Sequence, residues 1–407
     1  MEPLQKLGPV FYREVEDETT GLKGYLVVDR YLGGAGTGGI RLAPNISLVE
    51  VANLAYEMTL KFSFLNIRKG GAKAGFVLPG ELSKSQKEAL CRKFGEKIGD
   101  MLKSKKYFPG EDMGIDSDDL KVILSGAGIE KKSQKTSLKG EYFTALSVFL
   151  TAQEILKNEG KSFDQARIII EGFGKVGGEA ARLFSRAGAI ITGISTIRGG
   201  IFDEAGLDIP RLIDLKKLYG DGCIDHYELA QKVSKEELLF KEADIVIPGA
   251  RPDVITKDNV GRLKTKIIVP IANIAVTEEI ENMLAQRNIK YVPGFVSNCG
   301  GILGYFLGEQ GFDADAIEKI FHNGFSRKVR MLLKKAQKEN ISIAHAARAI
   351  ARRNFELMSD KGKNSLFKKM NLGRIGYVAC KKLKKKNIHI GTTFVMRAYM
   401  EKVLLNQ

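Results

Sequence analysis

The sequence predicts an α/β protein with an N-terminal α/β domain, then a doubly wound parallel-sheet domain, then helices at the C-terminal end. Three observations predict it. The 407 residues, 44% of them hydrophobic, suffice for two cores of ordinary size. Short apolar strand candidates alternate with helical patterns between residues 167 and 292, the signature of parallel strands joined by helical crossovers. From about Asp313 onward the apolar residues keep a helical period and no strand pattern returns.

The first structured segment is Tyr25-Leu26-Val27-Val28-Asp29, a short β-rich run leading into a glycine-rich stretch at 33–39. A helix is expected from Ser47, because Ser47 and Glu50 have capping-box spacing. Along it, Val51, Leu54, Ala55, Met58, Phe62 and Leu65 recur at helical period and define a buried stripe. A second serine-opened helix is expected over about 83–102. Residues 130–140 are polar and aperiodic, which suits a domain boundary. After a helix near 142–157, strands are expected at 167–171, 189–195, 243–247, 267–270 and 290–292. The division that follows is 1–135 for the N-terminal α/β domain, 136–312 for the doubly wound domain, 313–360 for C-terminal helices, and 361–407 for a basic extension.

The charge is distributed unevenly. Residues 313–407 carry 22 Lys and Arg against 7 Asp and Glu, while the rest of the chain has 42 against 41. The net charge of +16 therefore belongs to the C-terminal part. The lysine-rich stretch from Lys361 to Lys386 reads as a solvated, self-repelling surface or as a weak contact for a polyanion, with phosphate rather than bases as the target. The first 18 residues mix acids, bases and prolines, unlike a signal peptide. No stretch reaches the roughly 18 uncharged apolar residues that a membrane span needs. The four cysteines, Cys91, Cys223, Cys299 and Cys380, are far apart and there are only four histidines, so buried thiols in a reducing cytoplasm are expected and no metal site.

Two segments match Gly-x-Gly-x-x-Gly. The first, Gly34 to Gly39, is followed by Ile40-Arg41-Leu42-Ala43-Pro44 and cannot open a helix through that proline. The second, Gly172-Phe173-Gly174-Lys175-Val176-Gly177, follows the apolar run Ile168-Ile169-Ile170 and enters a helical pattern. There Gly172 permits the tight turn, Gly174 lets a pyrophosphate approach the backbone, and Gly177 lets helix pack on strand. This is a Rossmann-type dinucleotide loop, with phosphates expected at the helix N-terminus. The acidic residue that usually grips the ribose hydroxyls is replaced by Thr196 and Arg198. That pair tolerates a 2′-phosphate, which makes NADP at least as suitable as NAD.

Lys61 falls roughly 70° from the centre of the stripe on the Ser47 helix, at its border, where an i,i+4 pair with Glu57 is the plain alternative to a binding role. Lys73 sits in Gly70-Gly71-Ala72-Lys73-Ala74-Gly75, where small neighbours allow close approach and a low-dielectric setting suits acid–base work; a solvated loop lysine is the alternative. Asp112, in Phe108-Pro109-Gly110-Glu111-Asp112-Met113-Gly114, is in a turn-like setting where acids commonly cap helices.

In this order, the stretches Gly38-Gly39-Ile40-Arg41, Met58-Thr59-Leu60-Lys61, Gly70-Gly71-Ala72-Lys73, Glu111-Asp112-Met113-Gly114, the loop 172–177, Gly199-Gly200-Ile201, Gly206-Leu207-Asp208, Ala272-Asn273 and Asn298-Cys299-Gly300-Gly301 resemble the glutamate, leucine, phenylalanine and valine dehydrogenase superfamily. The resemblance covers about residues 20–350. It implies that Lys61 holds the substrate α-carboxylate, that Lys73 activates the water attacking an imine, and that Asp112 shuttles protons to and from the amino group. Thr37, Gly38, Gly39, Asn298 and Tyr305 would complete the substrate site; Ala250 and Asn273 would join the loop, Thr196 and Arg198 around the cofactor. It further implies that 1–135 is a substrate-binding and oligomerisation domain, that 136–312 binds NAD(P), that the helices of 313–360 return to the first domain, and that the protein has a closing cleft and forms a homo-oligomer.

Departures from the family pattern narrow the reading. Glutamate-specific members have a lysine where Thr37 stands and usually a serine where Tyr305 stands, which disfavours glutamate and favours a non-acidic amino acid. The family's Ala-Thr-Gly is Leu138-Lys139-Gly140 and its Pro-Asp is Pro293-Gly294, changes that bear on the nicotinamide region. The expected activity is NAD(P)-dependent oxidative deamination of a non-acidic L-amino acid, or its reverse. The alternatives are a glutamate dehydrogenase with an atypical pocket and a catalytically weak, dinucleotide-sensing regulator with a basic partner-binding tail; Lys61, Lys73 and Asp112 favour the enzyme, Lys139 and Gly294 the regulator.

Overall fold

The computed structural model describes residues 8–130, 139–250 and 253–359. The polar linker and the basic extension 361–407, with the polyanion contact expected of it, lie outside the described residues. The described chain forms two compact units, one of residues 8–130 with 351–359, the other of 139–350.

The first unit begins with β1 (Phe11–Asp17), β2 (Leu22–Val28), β3 (Gly36–Ala43), α1 (Leu48–Phe64) and β4 (Gly70–Val77). It continues with α2 (Lys84–Lys97), α3 (Gly99–Lys103), β5 (Tyr107–Gly110) and α4 (Ser117–Gly126). The sheet order is β1-β2-β4-β3-β5, with β3 parallel to both β4 and β5 and the other pairs antiparallel. Strand β2 is buried on both faces, which explains its unbroken apolar run. Leu26 and Val28 join the core with Phe76 and Phe94, while Tyr25 and Val27 face Val51 and Ala55 of α1. Phe76 and Phe94 stack with centroids 4.8 Å apart, fixing α2 on the sheet.

Three features of this unit differ from expectation. The glycine-rich stretches around Gly36 and Lys73 are central strands, not loops. Their glycines are required by close packing: a Cβ on Gly38 would lie 1.7 Å from Ala72 O, and one on Gly71 would lie 2.3 Å from both Ala55 O and Thr59 N of α1. Glycine has low strand propensity, so this pattern hides the strands. Ser47 does accept from Glu50 N at 3.2 Å, but the Glu50 carboxylate turns to Arg41. Finally, the helix expected over 83–102 breaks at Ile98 into α2 and α3.

The second unit opens with α5 (Gly140–Asn158), β6 (Arg167–Ile170), α6 (Lys175–Arg186), β7 (Ile190–Thr196) and β8 (Gly199–Phe202). Then follow α7 (Ile209–Tyr219), β9 (Gln231–Val233), α8 (Lys235–Leu238), β10 (Ile245–Ile247), β11 (Ile267–Ile268), α9 (Glu278–Gln286) and β12 (Lys290–Tyr291). Five helices complete it: α10 (Gly294–Ser297), α11 (Gly300–Glu309), α12 (Ala314–Ile320), α13 (Ser326–Glu339) and α14 (Ile343–Ser359), the last ending among residues of the first unit. The sheet order β12-β11-β10-β6-β7-β8-β9 reverses direction along the chain at β6, and ligands of such sheets bind at the carboxyl ends beside that switch point. Strands β12, β11, β10, β6 and β7 run parallel, as expected, whereas β8 and β9 add an antiparallel edge that the sequence did not reveal.

Residues 313–350, expected to return to the first domain, pack instead within the second unit. Phe321 stacks on Phe143 of α5 at 5.3 Å, and the Tyr142 hydroxyl donates to Glu318 at 2.8 Å. Residues 351–359 group with the first unit, where Asn354 Nδ2 donates to Ser63 O at 3.0 Å and Arg68 Nε to Met358 O at 3.2 Å.

Candidate active site and dinucleotide loop

In the first unit three elements meet at a buried charge cluster. Strand β4 carries Lys73, β3 carries Arg41, and the turn after β5 carries Asp112. Lys73 Nζ lies 2.8 Å from Asp112 Oδ2, and Arg41 Nε lies 3.2 Å from the same oxygen. The side chain of Lys73 is only 6% exposed and that of Asp112 17%. Burial alone would push the Asp112 carboxyl up, but the charges of Lys73 and Arg41 outweigh it and hold the group at about 2. Asp112 caps no helix; Asp116 does so for α4, through a capping box with Asp119.

Glycines bring the cluster together. A Cβ on Gly39 would sit 2.8 Å from the Asp112 Cβ and 2.6 Å from Glu111 O, so only glycine lets the turn approach β3 this closely. Under the same strand, the buried Tyr107 hydroxyl donates to Gly38 O at 2.9 Å. Gly114, at φ +77°, closes the turn in the left-handed region.

Lys61 is buried, not bordering on solvent, because the last two turns of α1 from Met58 to Phe64 are covered on every side. Its position in the final turn favours a cation there. Gly71 N donates to Thr59 Oγ1 at 3.1 Å, so the residues two before Lys61 and two before Lys73 touch. Thr37 pairs with Gly71 on one side and Phe108 on the other. Thr37, Gly38, Gly39, Lys61, Lys73 and Asp112 therefore belong to one region of the first unit.

In the second unit the dinucleotide loop connects β6 to α6. Gly172 has φ +93°, and a Cβ on Gly177 would lie 1.9 Å from Gly172 O, which fixes the first and third glycines by conformation and packing. A Cβ on Gly174 would meet nothing within 4 Å, so the second glycine faces open space where a pyrophosphate can approach. Gly174 is also the N-cap of α6 and offers no side-chain acceptor, so the first-turn N–H groups are left to a ligand. The loop thus fits NAD(P). Phe173 is buried behind it, while Lys175 and Val176 open the helix.

Two residues that hold this loop were missed from sequence. Ser195 accepts from Gly172 N at 3.1 Å through its hydroxyl, and from Phe173 N at 2.6 Å through its carbonyl. Buried Glu171 accepts from Gly249 N and Ala250 N at 3.2 and 3.3 Å, tying the ends of β6 and β10 together at the predicted Ala250. The sequence signal was their place at the carboxyl ends of adjacent parallel strands.

Thr196 and Arg198 lie at the end of β7 and in the following turn. Thr196 Oγ1 donates to Asp221 O at 2.9 Å and accepts from Arg198 N at 3.2 Å, so its hydroxyl is committed to the turn. Arg198 is 59% exposed and paired with Asp225 at 2.5 Å. Farther along, Asn298 Nδ2 donates to Ile271 O and Ala272 O at 2.9 and 3.0 Å and lies 3.5 Å from Asn273 Oδ1. The Asn298 Oδ1 is buried with no hydrogen-bond partner among the described residues, an acceptor left for a ligand donor. Next to Asn273, Ile274 has φ +51°, a strained conformation for a β-branched residue. A Cβ on Gly294 would lie 2.9 Å from Ala272 O and 3.0 Å from Asn298 Nδ2, so the departure Pro293-Gly294 removes a side chain for which there is no room. Lys139 precedes α5 as an N-cap without a side-chain bond. Tyr305 lies on α11, about half exposed, its phenol pushed up by burial and by the Glu309 carboxylate.

Comparison with known proteins identifies the family. Residues 137–362 match the family described as Glutamate/Leucine/Phenylalanine/Valine dehydrogenase, and residues 10–127 match the Glu/Leu/Phe/Val dehydrogenase dimerisation domain. The chain is 32% identical over 283 residues to an NADP-specific glutamate dehydrogenase of Saccharolobus shibatae, a match covering 66% of each chain. It is 30% identical over 355 residues to a glutamate dehydrogenase of Thermotoga maritima, covering 81% of this chain and 83% of that one. Among solved structures, the hetero-hexameric glutamate dehydrogenase of Thermus thermophilus in its Leu-bound form aligns with a TM-score of 0.74 at 23% identity, over 86% of this chain and 89% of that one. An L-tryptophan dehydrogenase from Nostoc punctiforme aligns with a TM-score of 0.61 at 22% identity, over 87% and 98%. At these identities the structures show the fold. The chain belongs to the Glu/Leu/Phe/Val dehydrogenase family, oxidoreductases that act on CH–NH2 groups with NAD(P).

Proposed function

We propose that this protein interconverts a non-acidic L-amino acid with its 2-oxo acid and ammonia. The observation that carries the reading is the buried Lys73–Asp112 pair beside Lys61 on a glycine-built floor. NAD(P), when bound, supplies the redox partner for the substrate Cα. Lys61, buried in the last turn of α1, binds the α-carboxylate. Asp112, ionised at neutral pH, accepts a proton from the substrate amino group. Lys73, 2.8 Å from that carboxylate, orients and activates the water that attacks the iminium carbon, and a proton passes between the two as ammonia departs. Burial of Lys61 and Lys73, with Asp112 mostly covered, strengthens these interactions by limiting bulk water.

Thr37 supports the non-acidic substrate class. It offers a hydroxyl where a side-chain carboxylate needs a cation, and Tyr305 puts an aromatic ring where glutamate-specific members usually carry a small hydroxyl residue. The relatives named glutamate dehydrogenase keep glutamate as the second reading. For the cofactor, β7 itself ends in Thr196 rather than a carboxylate, and the exposed Arg198 can turn from Asp225 to a 2′-phosphate; NADP is the preferred form. The first unit also presents exposed Tyr12 on edge strand β1, consistent with homo-oligomer formation through that unit. Three buried thiols, Cys91, Cys223 and Cys299, suit a reducing cytoplasm.

A reductive-amination screen of 2-oxo acids with ammonium and NADPH or NADH tests the reading. Turnover with branched or aromatic 2-oxo acids at least about tenfold above 2-oxoglutarate is expected, corresponding to ~1.4 kcal/mol of discrimination. Preference for 2-oxoglutarate establishes the glutamate reading instead, and no turnover with any substrate removes the enzyme assignment.

A further inference from the structure

Arg41 is a buried guanidinium with two carboxylate partners. Its Nη1 lies 2.9 Å from Glu50 Oε1 and its Nε 3.2 Å from Asp112 Oδ2, while its side chain is 7% exposed. Glu50 is the third residue of α1 and has the spacing to return a hydrogen bond to the Ser47 backbone N–H, completing a capping box. It bonds to Arg41 instead. The helix terminus thus gives up one of its own satisfying interactions to fix a guanidinium in the interior. The fork geometry matters: Nε and Nη1 lie on different edges of one rigid plane, so anchoring one edge on Glu50 sets where the other meets Asp112.

From this arrangement we propose that Arg41 is a positioning residue for the reaction, with Glu50 as its anchor: it fixes the orientation of the Asp112 carboxylate and keeps that group ionised as a proton acceptor. The proposal rests on the amino-acid dehydrogenase reading above. The charged and titratable groups that face Asp112 are Lys73 from β4, Arg41 from β3 and the buried Tyr107 phenol from β5. Lys73 converges on the same oxygen as Arg41, but a reaction step that engages Lys73 with water or substrate weakens its hold on the carboxylate. Arg41 has no such second task. It is the charge that holds Asp112 when Lys73 is occupied.

The test uses the full chain in three forms: wild type, Arg41→Met and Arg41→Lys. Two quantities are read for each, the kcat against pH with the best substrate and the titration of the Asp112 carboxyl by 13C NMR, assigned with Asp112→Asn. Arg41→Met should lower kcat about 30-fold or more with KM changed less than about threefold, and should move the carboxyl titration up by about one unit or more. Arg41→Lys should leave the titration near that of wild type yet lower kcat about tenfold, because a point charge cannot reproduce the fork. If Arg41→Met does not fold, the Arg41→Lys arm carries the test alone. An unmoved titration in Arg41→Met, or full kcat in Arg41→Lys, overturns the proposal. A wild type without turnover overturns the enzyme reading, and the NMR arm still decides whether Arg41 sets the ionisation of Asp112.

Discussion

Lys73 Nζ and Asp112 Oδ2 stand 2.8 Å apart in the charge cluster of the first unit, although they are 39 positions apart in sequence. Neither belongs to the dinucleotide loop, which lies in the other unit. Lys73→Ala and Asp112→Asn should therefore each lower kcat by about a thousandfold or more while leaving reduced-cofactor binding within about twofold, the scale of losing an acid–base group. Because the chain has no tryptophan, cofactor fluorescence follows binding without interference from tryptophan emission. A variant that keeps most of its kcat defeats the mechanism.

Gly39 tests the geometry without touching a charged group. Its missing Cβ is what allows the Asp112 Cβ to approach to within 2.8 Å of that position, and the neighbouring Glu111 O is a backbone atom that cannot rotate away. Gly39→Ala should displace the turn and reduce kcat by about 10² or more, since a shift near 1 Å is enough to misalign a reacting pair. Thermal stability should fall as well. A variant with unchanged kcat would show that the turn position is not used in catalysis.

The reading of residue 37 predicts a gain of function. Thr37 is on β3 between Gly71 and Phe108, so a longer side chain extends from a fixed strand. Thr37→Lys should raise kcat/KM for glutamate relative to the best non-acidic substrate by about tenfold, the effect of one charge-assisted contact of ~1.5–3 kcal/mol less its ordering cost. Steady-state rates on both substrates check it, and an unchanged ratio removes Thr37 from the specificity argument.

How legible all this was depended on which physical signal each element carries. The dinucleotide loop was readable because strand, glycines and helix each leave a local mark, and Gly172 and Gly177 stand as their positions require. Strands β3 and β4 were not, since the glycines that let Lys73 and Asp112 come together erase the apolar alternation of a strand. Periodicity sees only one helix face and so puts Lys61 at the border of the apolar stripe, whereas α1 is covered on all sides near its end. Arg41 and Glu50 were invisible as a pair: capping-box spacing pointed Glu50 at Ser47, and only tertiary structure shows it turned to Arg41. Ser195 and Glu171 act across neighbouring strands, a relation set by sheet order rather than by sequence distance.

For cofactor choice Arg198 is a better position to vary than Thr196. Replacing Thr196 by Asp would put a carboxylate against Asp221 O, which now receives the threonine hydroxyl at 2.9 Å, and would disturb the turn itself. Arg198→Ala is cleaner, because Arg198 is exposed and its partner Asp225 is then left to repel a 2′-phosphate. The kcat/KM ratio of NADPH to NADH should drop about tenfold, as expected for loss of one charge-assisted hydrogen bond. Asp225→Ala should move the ratio the other way. A wild type favouring NADH a hundredfold, or a ratio indifferent to Arg198, contradicts the NADP preference.

Lys328, on α13, is buried at 6% exposure, and desolvation pushes its amine down to about 7, with Cys299 acting in the opposite direction. In the unfolded chain the same amine titrates near ~10.4. Between these values the unfolded state binds more protons than the folded one, so stability rises with pH across that window. Below about 7 both states are protonated and the penalty is constant; above the unfolded value both are neutral and it vanishes. Lys328→Met keeps an unbranched side chain of similar reach without the charge. It should stabilise the protein by on the order of a few kcal/mol at pH 7, with the gain shrinking toward pH 10. Urea unfolding of wild type and variant at both pH values measures this difference. A gain that is absent at pH 7, or as large at pH 10 as at pH 7, shows that the interior around α13 accommodates the lysine charge without cost.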